Sequence, residues 1–343
     1  MTQPVVTKEQ VTYKNGFSLG TFFNKYGTLL VIVGIIFFFS ITNDRFFTYS
    51  NFTDILRSIS IVTFVALGVT CSLIVGGFDL SVGSIVSMST ITSAAMLVWY
   101  RQELLVALVV PIFVGLLIGL FNSFVVIRLR IPDLLGTLAV MYIINGVHLT
   151  ATKGYSIYNN MMLTNGEMAP GKFIPSFLFI GQGKWLSIPF PVLLMLAAVI
   201  FLHLFFRYTK TGRLLYVTGG NPEAARLSGI SVNRYRTYAY LLSAFFASVA
   251  GIVLAARVGT GQVSAGASLL MDAVAASFIG YSVFGQGKPN VIGTFFGAVL
   301  IGVLLNGLTM WNVPYYAMDI LKGSILVLAL AIMYVQKKGV FHK

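Results

Sequence analysis

A chain of 343 residues with only 10 acidic side chains invites a search carboxylate by carboxylate. Asp79, in the stretch GGFDLSVGS at 76–84, is the first that could do chemistry. It sits between two Gly-rich apolar runs, and an ionisable group in such a setting is costly unless it faces protein or water. Two readings follow. Gly76, Gly77, Asp79, Ser81 and Gly83 shape a broken-helix element that lines or gates a pathway, or Asp79 caps the next span at its cytoplasmic interface. Asn122 and Asn306 lie deep in apolar runs, where an amide either offers passing solute a weak hydrogen bond or ties helices together. Asp319 and Lys322 have the i,i+3 spacing of a helical pair and are expected to bond each other. Asp272 is expected to meet a basic residue on the outer side or a partner protein.

Catalytic signatures do not emerge. No G-x-x-x-x-G-K-[ST] loop occurs, and GQGKPN at 285–290 has neither its spacing nor its hydroxyl. His148, His203 and His342 are far apart in the chain, and no H-E-x-x-H is present. The expectation is a protein without catalytic, metal or cofactor residues of its own. Cys71, the single cysteine, lies in an apolar run and reads as a small buried residue rather than half of a disulfide.

The elements that must position these groups are membrane spans. Hydrophobic residues make up 57% of the chain and charged residues 10%, with a mean hydropathy of +0.87. About a quarter charged is usual for a soluble domain, so a water-facing surface is excluded. Long apolar runs without a period of two exclude an outer-membrane barrel. The first run begins only near Tyr26 with no small-residue cleavage site after it, so no secretory signal is expected. The sequence divides into ten expected spans, at 26–42, 55–75, 80–100, 104–127, 134–152, 189–206, 237–256, 268–284, 291–309 and 318–335. The third and eighth are rich in small and hydroxyl residues, which favours close packing inside a bundle over lipid contact. The fold class expected is all-α, a polytopic membrane helix bundle.

Net charge is +13, and the placement of the basic residues sets direction. With the N-terminus in the cytoplasm, ten crossings put Lys8, Lys14 and Lys25, Arg128 and Arg130, the basic residues of 207–236, Lys288, and Lys337, Lys338 and Lys343 on that side. That is most of the 23 basic residues. The organisation expected is a cytoplasmic tail at 1–25, a membrane domain at 26–336 and a second cytoplasmic tail at 337–343. The outer segment 153–188, rich in Gly, Pro and polar residues, is too short for a solute-binding domain and could cap an outer mouth. LIGLFNS at 117–123 and LIGVLLNG at 300–307 form a faint internal echo of the kind that duplicated transporters carry.

Within the 207–236 segment, GGNPEAARLSG at 219–229 is polar and built as a helix. Asn221 is a good N-cap, Pro222 suits the first turn and Glu223 favours the positive end. Gly229 supplies the left-handed stop. The expected helix has about seven residues and is roughly 10 Å long.

EAA followed by three residues and Gly resembles the cytoplasmic loop of ATP-binding-cassette (ABC) importer permeases, without the I-x-LP part of the fullest form of that motif. GGFDLSVGS at 76–84, IPDLLGTLAVM at 131–141, GGNPEAARLSGI at 219–230 and IGTFFGAVLIGVLLNGL at 292–308 resemble, in order, permeases of the ribose/galactoside/autoinducer-2 import family. The resemblance spans about 50–335; Asp133 departs from it, standing where relatives more often carry a neutral residue. It implies a fold of the vitamin-B12-importer type in a bacterial inner membrane. It also implies a second permease copy or related permease, a cytoplasmic ABC ATPase that binds ATP and Mg, and a periplasmic or lipid-anchored sugar-binding protein. The residues implied to couple to the ATPase are Asn221, Pro222, Glu223, Ala224, Ala225, Arg226 and Gly229. An ion-coupled secondary transporter, which would use Asp79 and Asp272, is the alternative.

Overall fold

The computed structural model describes residues 19–163, 165–283 and 287–341. Lys8, Lys14, His342, Lys343 and the start of the GQGKPN stretch lie outside them.

Each of the ten expected spans holds one long helix. These are α1 (Leu19–Thr42), α2 (Tyr49–Ile74), α3 (Val82–Ala94, continued by a π-helical turn Ala95–Trp99), α4 (Leu104–Ser123, continued by a π-helical turn Phe124–Arg128) and α5 (Asp133–Thr152). After a short α6 (Pro175–Gln182) come α7 (Phe190–Tyr208), α8 (Lys210–Gly220), α9 (Pro222–Leu227), α10 (Val232–Val258), α11 (Ala265–Ser282), α12 (Val291–Met310) and α13 (Tyr315–Phe341). Among the described residues, 7 helices are long and apolar enough to cross a membrane; α1 and α11 add shorter apolar stretches. Side-chain caps fix several starts. Thr48 accepts from the Asn51 amide, Thr209 from Gly212, and Asn290 from Gly293.

Burial separates core from shell. The most apolar windows of α2, α3 and α10 are 83%, 78% and 72% buried, whereas those of α4, α5 and α7 are 28%, 22% and 33%. The low-hydropathy third span is thus an interior helix, and α11 packs beside it against α2, α3, α12 and α13. Lipid supplies no hydrophobic drive between helices, so close approach of small residues does that work. A methyl group on Gly251 of α10 would run into Val86 and Ser89 of α3, and one on Gly297 of α12 into the Ala276 carbonyl of α11. Thr70, Ser277 and Thr294 join α2, α11 and α12 through buried hydroxyl contacts of 2.6 and 3.4 Å.

The described residues of 153–188 are anchored rather than loose. Their strand β1 (Ile157–Tyr158) pairs antiparallel with β4 (Thr260–Gly261), while β2 (Lys184–Trp185) and β3 (Ile188–Pro189) form a small hairpin. Ile157, Phe173 and Phe177 pack with Leu97, Val98 and Ala256 in a second apolar cluster over the ends of α3 and α10.

Candidate functional site

The connection between α2 and α3 turns back into the bundle. A Cβ on Gly68 would meet the Ser243 carbonyl of α10 at 2.8 Å, and the Ser243 hydroxyl donates to Asp79 Oδ2 at 2.8 Å. Gly68 precedes the end of α2 by six residues, about 9 Å of helix. Asp79, which is fully buried, therefore lies about that far inside the bundle's end. Ser81 holds the N-cap position of α3. Asp79 instead folds its own loop: Oδ1 accepts from the Ser81 amide at 2.9 Å and the Ser81 hydroxyl at 2.7 Å. Phe78 stacks on Phe278 of α11 at 5.9 Å.

Asn122 joins this cluster from α4, donating to Ser81 Oγ at 2.7 Å. Its amide thus ties a helix to the break. Thr137 of α5 completes the enclosure, accepting from the Leu80 amide and donating to the Phe78 carbonyl, both at 3.1 Å. Asp133, the departure from the family pattern, lies in the first turn of α5 and forms an ion pair with Arg236 of α10. A Cβ on Gly77 would meet Asp133 Oδ2 and the Tyr240 hydroxyl, so a larger residue there would push these side chains aside. Gly83 packs on α11, where a Cβ would stand 3.0 Å from the Gly266 carbonyl.

Asn306 stands apart. Its amide donates to Asn51 at 2.9 Å, at the opposite end of α2 from Ile74, about 35 Å away along the helix. The expected pairing of Asp319 with Lys322 is corrected. The Lys322 ammonium lies 3.0 Å from the Asp272 carboxylate of α11, because α13 packs lengthwise on α11 and brings Lys322 to the buried acid.

At the near end of the bundle, the 207–236 segment is itself helical. α10 begins at Val232 rather than at 237, so Arg234 and Arg236 belong to that helix. In α9, Asn221 Oδ1 accepts from the Ala224 amide at 3.0 Å, with Pro222 at the first helical position. Gly229, at φ +78°, reverses the chain. Its amide bonds the Arg226 carbonyl at 3.0 Å and the Ile230 amide bonds the Ala225 carbonyl at 2.9 Å, a doubly bonded C-terminal stop. Ala225 is buried; Glu223 and Arg226 form an exposed pair at 3.4 Å. Sequence reasoning missed Leu227, which is 88% exposed at the tip of this capped helix. The available signal was a lone leucine among polar residues. It also missed Gly219, whose backbone abuts both Gly76 and the Ile74 carbonyl, so α8, which leads into the capped helix, is in direct contact with the break. Tyr216 of α8 pins the same helix to the start of α12, donating to the Pro289 carbonyl at 2.9 Å. Burial pushes its phenol up to about 12, so it stays protonated and donating at physiological pH.

A multi-pass helical bundle with a buried polar break and a rigid helix presented at one end is the architecture of a transport permease. The chain belongs to the family of branched-chain amino acid transport system permease components, whose profile matches residues 51–330. It is 34% identical over 308 residues to the ribose import permease of Escherichia coli K12, covering 89% of this chain and 91% of that protein. It is 30% identical over 363 residues to the xylose transport system permease of Haemophilus influenzae (91% and 96% covered). With the D-allose transport system permease of E. coli K12 the figures are 27% over 326 residues, with 95% and 96% covered. No solved structure matches the chain.

Proposed function

We propose that this chain is the membrane-spanning permease subunit of an ABC importer that carries a simple sugar or sugar-like solute across a bacterial inner membrane. The observation that carries this reading is the contact of Gly219, just ahead of the capped helix, with the break at Gly76. A rigid helix displaced by a partner moves as one piece, and its neighbour at the break moves with it. The partner is a cytoplasmic ATPase that binds ATP and Mg and seats α9 through Leu227, Glu223 and Arg226. A second permease, identical or related, faces this one across the pathway, and a periplasmic or lipid-anchored binding protein delivers solute at the end bearing residues 153–188. Both chain termini lie in the cytoplasm. The relatives with printed functions carry ribose, xylose and allose, which supports an aldose-like solute.

The bound state of the acids argues against the alternative, an ion-coupled carrier. Asp79 accepts from Ser81 and Ser243, and Asp272 is answered by Lys322, so both carboxylates are already engaged.

Gentle isolation of the tagged protein from its native membrane, with mass spectrometry and an ATPase assay, tests the proposal. The expected result is a stoichiometric ATPase carrying a phosphate-binding loop, with vanadate-sensitive uptake of labelled ribose, xylose or allose. A preparation free of ATPase whose uptake collapses with a proton ionophore would overturn it.

A further inference from the structure

Between α4 with its π-helical extension and the start of α10 lies a cleft of about 420 Å³, on the same end of the bundle as residues 207–236. The hydroxyls of Ser123 and Thr237 meet in its lining, 2.7 Å apart. Arg128, Asn233 and Arg234 complete the polar lining, which includes no carboxylate. Neither Arg128 nor Arg234 forms an ion pair among the described residues. Arg236, two residues further along α10, is by contrast neutralised by Asp133. The charge left over is therefore cationic and gathered at one place.

The apolar part of the lining opens onto an exposed stripe. Phe113, Leu117, Leu120 and Phe124 are all exposed, spaced four, three and four residues apart along one side of α4. The stripe runs about 16 Å away from the cleft. A cationic, donor-rich recess at the end of an apolar helix face matches a molecule with a phosphate at one end and hydrocarbon behind it. Basic pockets between helices near a membrane surface bind such headgroups.

We propose that this cleft binds the headgroup of an anionic glycerophospholipid in the leaflet on the 207–236 side, with an acyl chain along the α4 stripe. The phosphate oxygens accept from Arg128 and Arg234, and the Asn233 amide and the Ser123 hydroxyl, which accepts in turn from Thr237, supply the remaining donors. The proposal needs only that the chain is embedded in a membrane and is independent of the solute carried.

The test is native mass spectrometry of the purified full chain, in micelles doped with equal amounts of phosphatidylglycerol and phosphatidylcholine. The expected result is selective retention of phosphatidylglycerol. Each basic residue near an anionic surface contributes about five-fold in binding, so Arg128→Gln with Arg234→Gln should lower retention about 30-fold. The control, Lys153→Gln with Lys172→Gln at the far end, should retain the lipid. Equal losses in both double variants would reduce the effect to net charge and overturn the site. Displacement of the lipid by millimolar inorganic phosphate would overturn it in favour of a soluble anion. Loss of bound lipid whenever the ATPase is added would assign the cleft to that interface instead.

Discussion

Gly219 abuts Ile74 so closely that a methyl group on its Cα would collide with the Ile74 carbonyl. Gly219 is the last residue but one of α8 and Ile74 the last of α2, and the contact is backbone against backbone. Neither side can yield by turning a side chain, so a shift of α8 displaces the end of α2 and the Gly76–Ser81 break behind it.

Gly219→Ala should therefore separate two activities that normally run together. Association with the ATPase and its hydrolysis should stay within two-fold, because α9 is untouched, while solute uptake falls at least ten-fold. Uptake and ATP hydrolysis measured in the same reconstituted vesicles check this; uptake at the unmodified rate would mean that the contact transmits nothing.

The capped helix predicts a different pattern. Leu227→Ala removes exposed apolar surface that only a partner can cover, worth about 2 kcal/mol or roughly 30-fold in ATPase affinity. Gly229→Ala forces a side chain into a left-handed conformation at a cost of about 1–2 kcal/mol. Glu223→Gln breaks an exposed pair, which should leave the melting temperature unchanged while weakening coupling. Pull-down yield and thermal stability of the three variants distinguish these effects. Unchanged ATPase assembly and uptake in all three would remove the proposed role of α9.

Asp79 is where stability and transport meet. Asp79→Ala leaves the Ser243 hydroxyl, the Ser81 amide and the Ser81 hydroxyl without their acceptor, each a loss of about 1–3 kcal/mol if not re-satisfied. The variant should insert into the membrane and lose most uptake. Ser243→Ala removes only one of the donors and should retain more uptake than Asp79→Ala. A protease-accessibility assay for insertion, run beside transport, checks both. Normal uptake in Asp79→Ala would reject any part for the break in the pathway.

The helical architecture is legible in the sequence because a span must be apolar for about 20 residues, and that periodicity survives whatever the helices touch. Caps are legible for a related reason: Asn221 and Gly229 act on backbone within a few residues of themselves. Depth and partnership are not local. Nothing in GGFDLSVGS tells that the chain turns back about 9 Å into the bundle, because that depends on Ser243, far along the chain on α10. Asn122 offers the same bonds to a solute or to Ser81, and only the packing of α4 against the break decides between them. Leu227 carries no periodic signal, since one leucine on a six-residue helix has no face to belong to.

Lys322 shows the same limit and gives the sharpest test of the packing of α13. Local spacing points to Asp319, one turn away, yet the ammonium reaches across to Asp272 on α11 at 3.0 Å. Both side chains of that pair are largely buried, whereas Asp319 is exposed. Removing one partner strands the other charge away from water, which in buried pairs costs about 3–5 kcal/mol. Asp272→Asn or Lys322→Met alone should therefore lower thermal stability in detergent sharply. The double variant, which strands no charge, should recover most of that loss, since buried pairs are often replaceable by neutral groups. Asp319→Asn should leave stability unchanged within about 0.5 kcal/mol, as for an ordinary surface position. The double-mutant cycle is decisive: additive losses for Asp272 and Lys322, or a coupling that appears instead between Asp319 and Lys322, would return the pair to its local partner and detach α13 from α11.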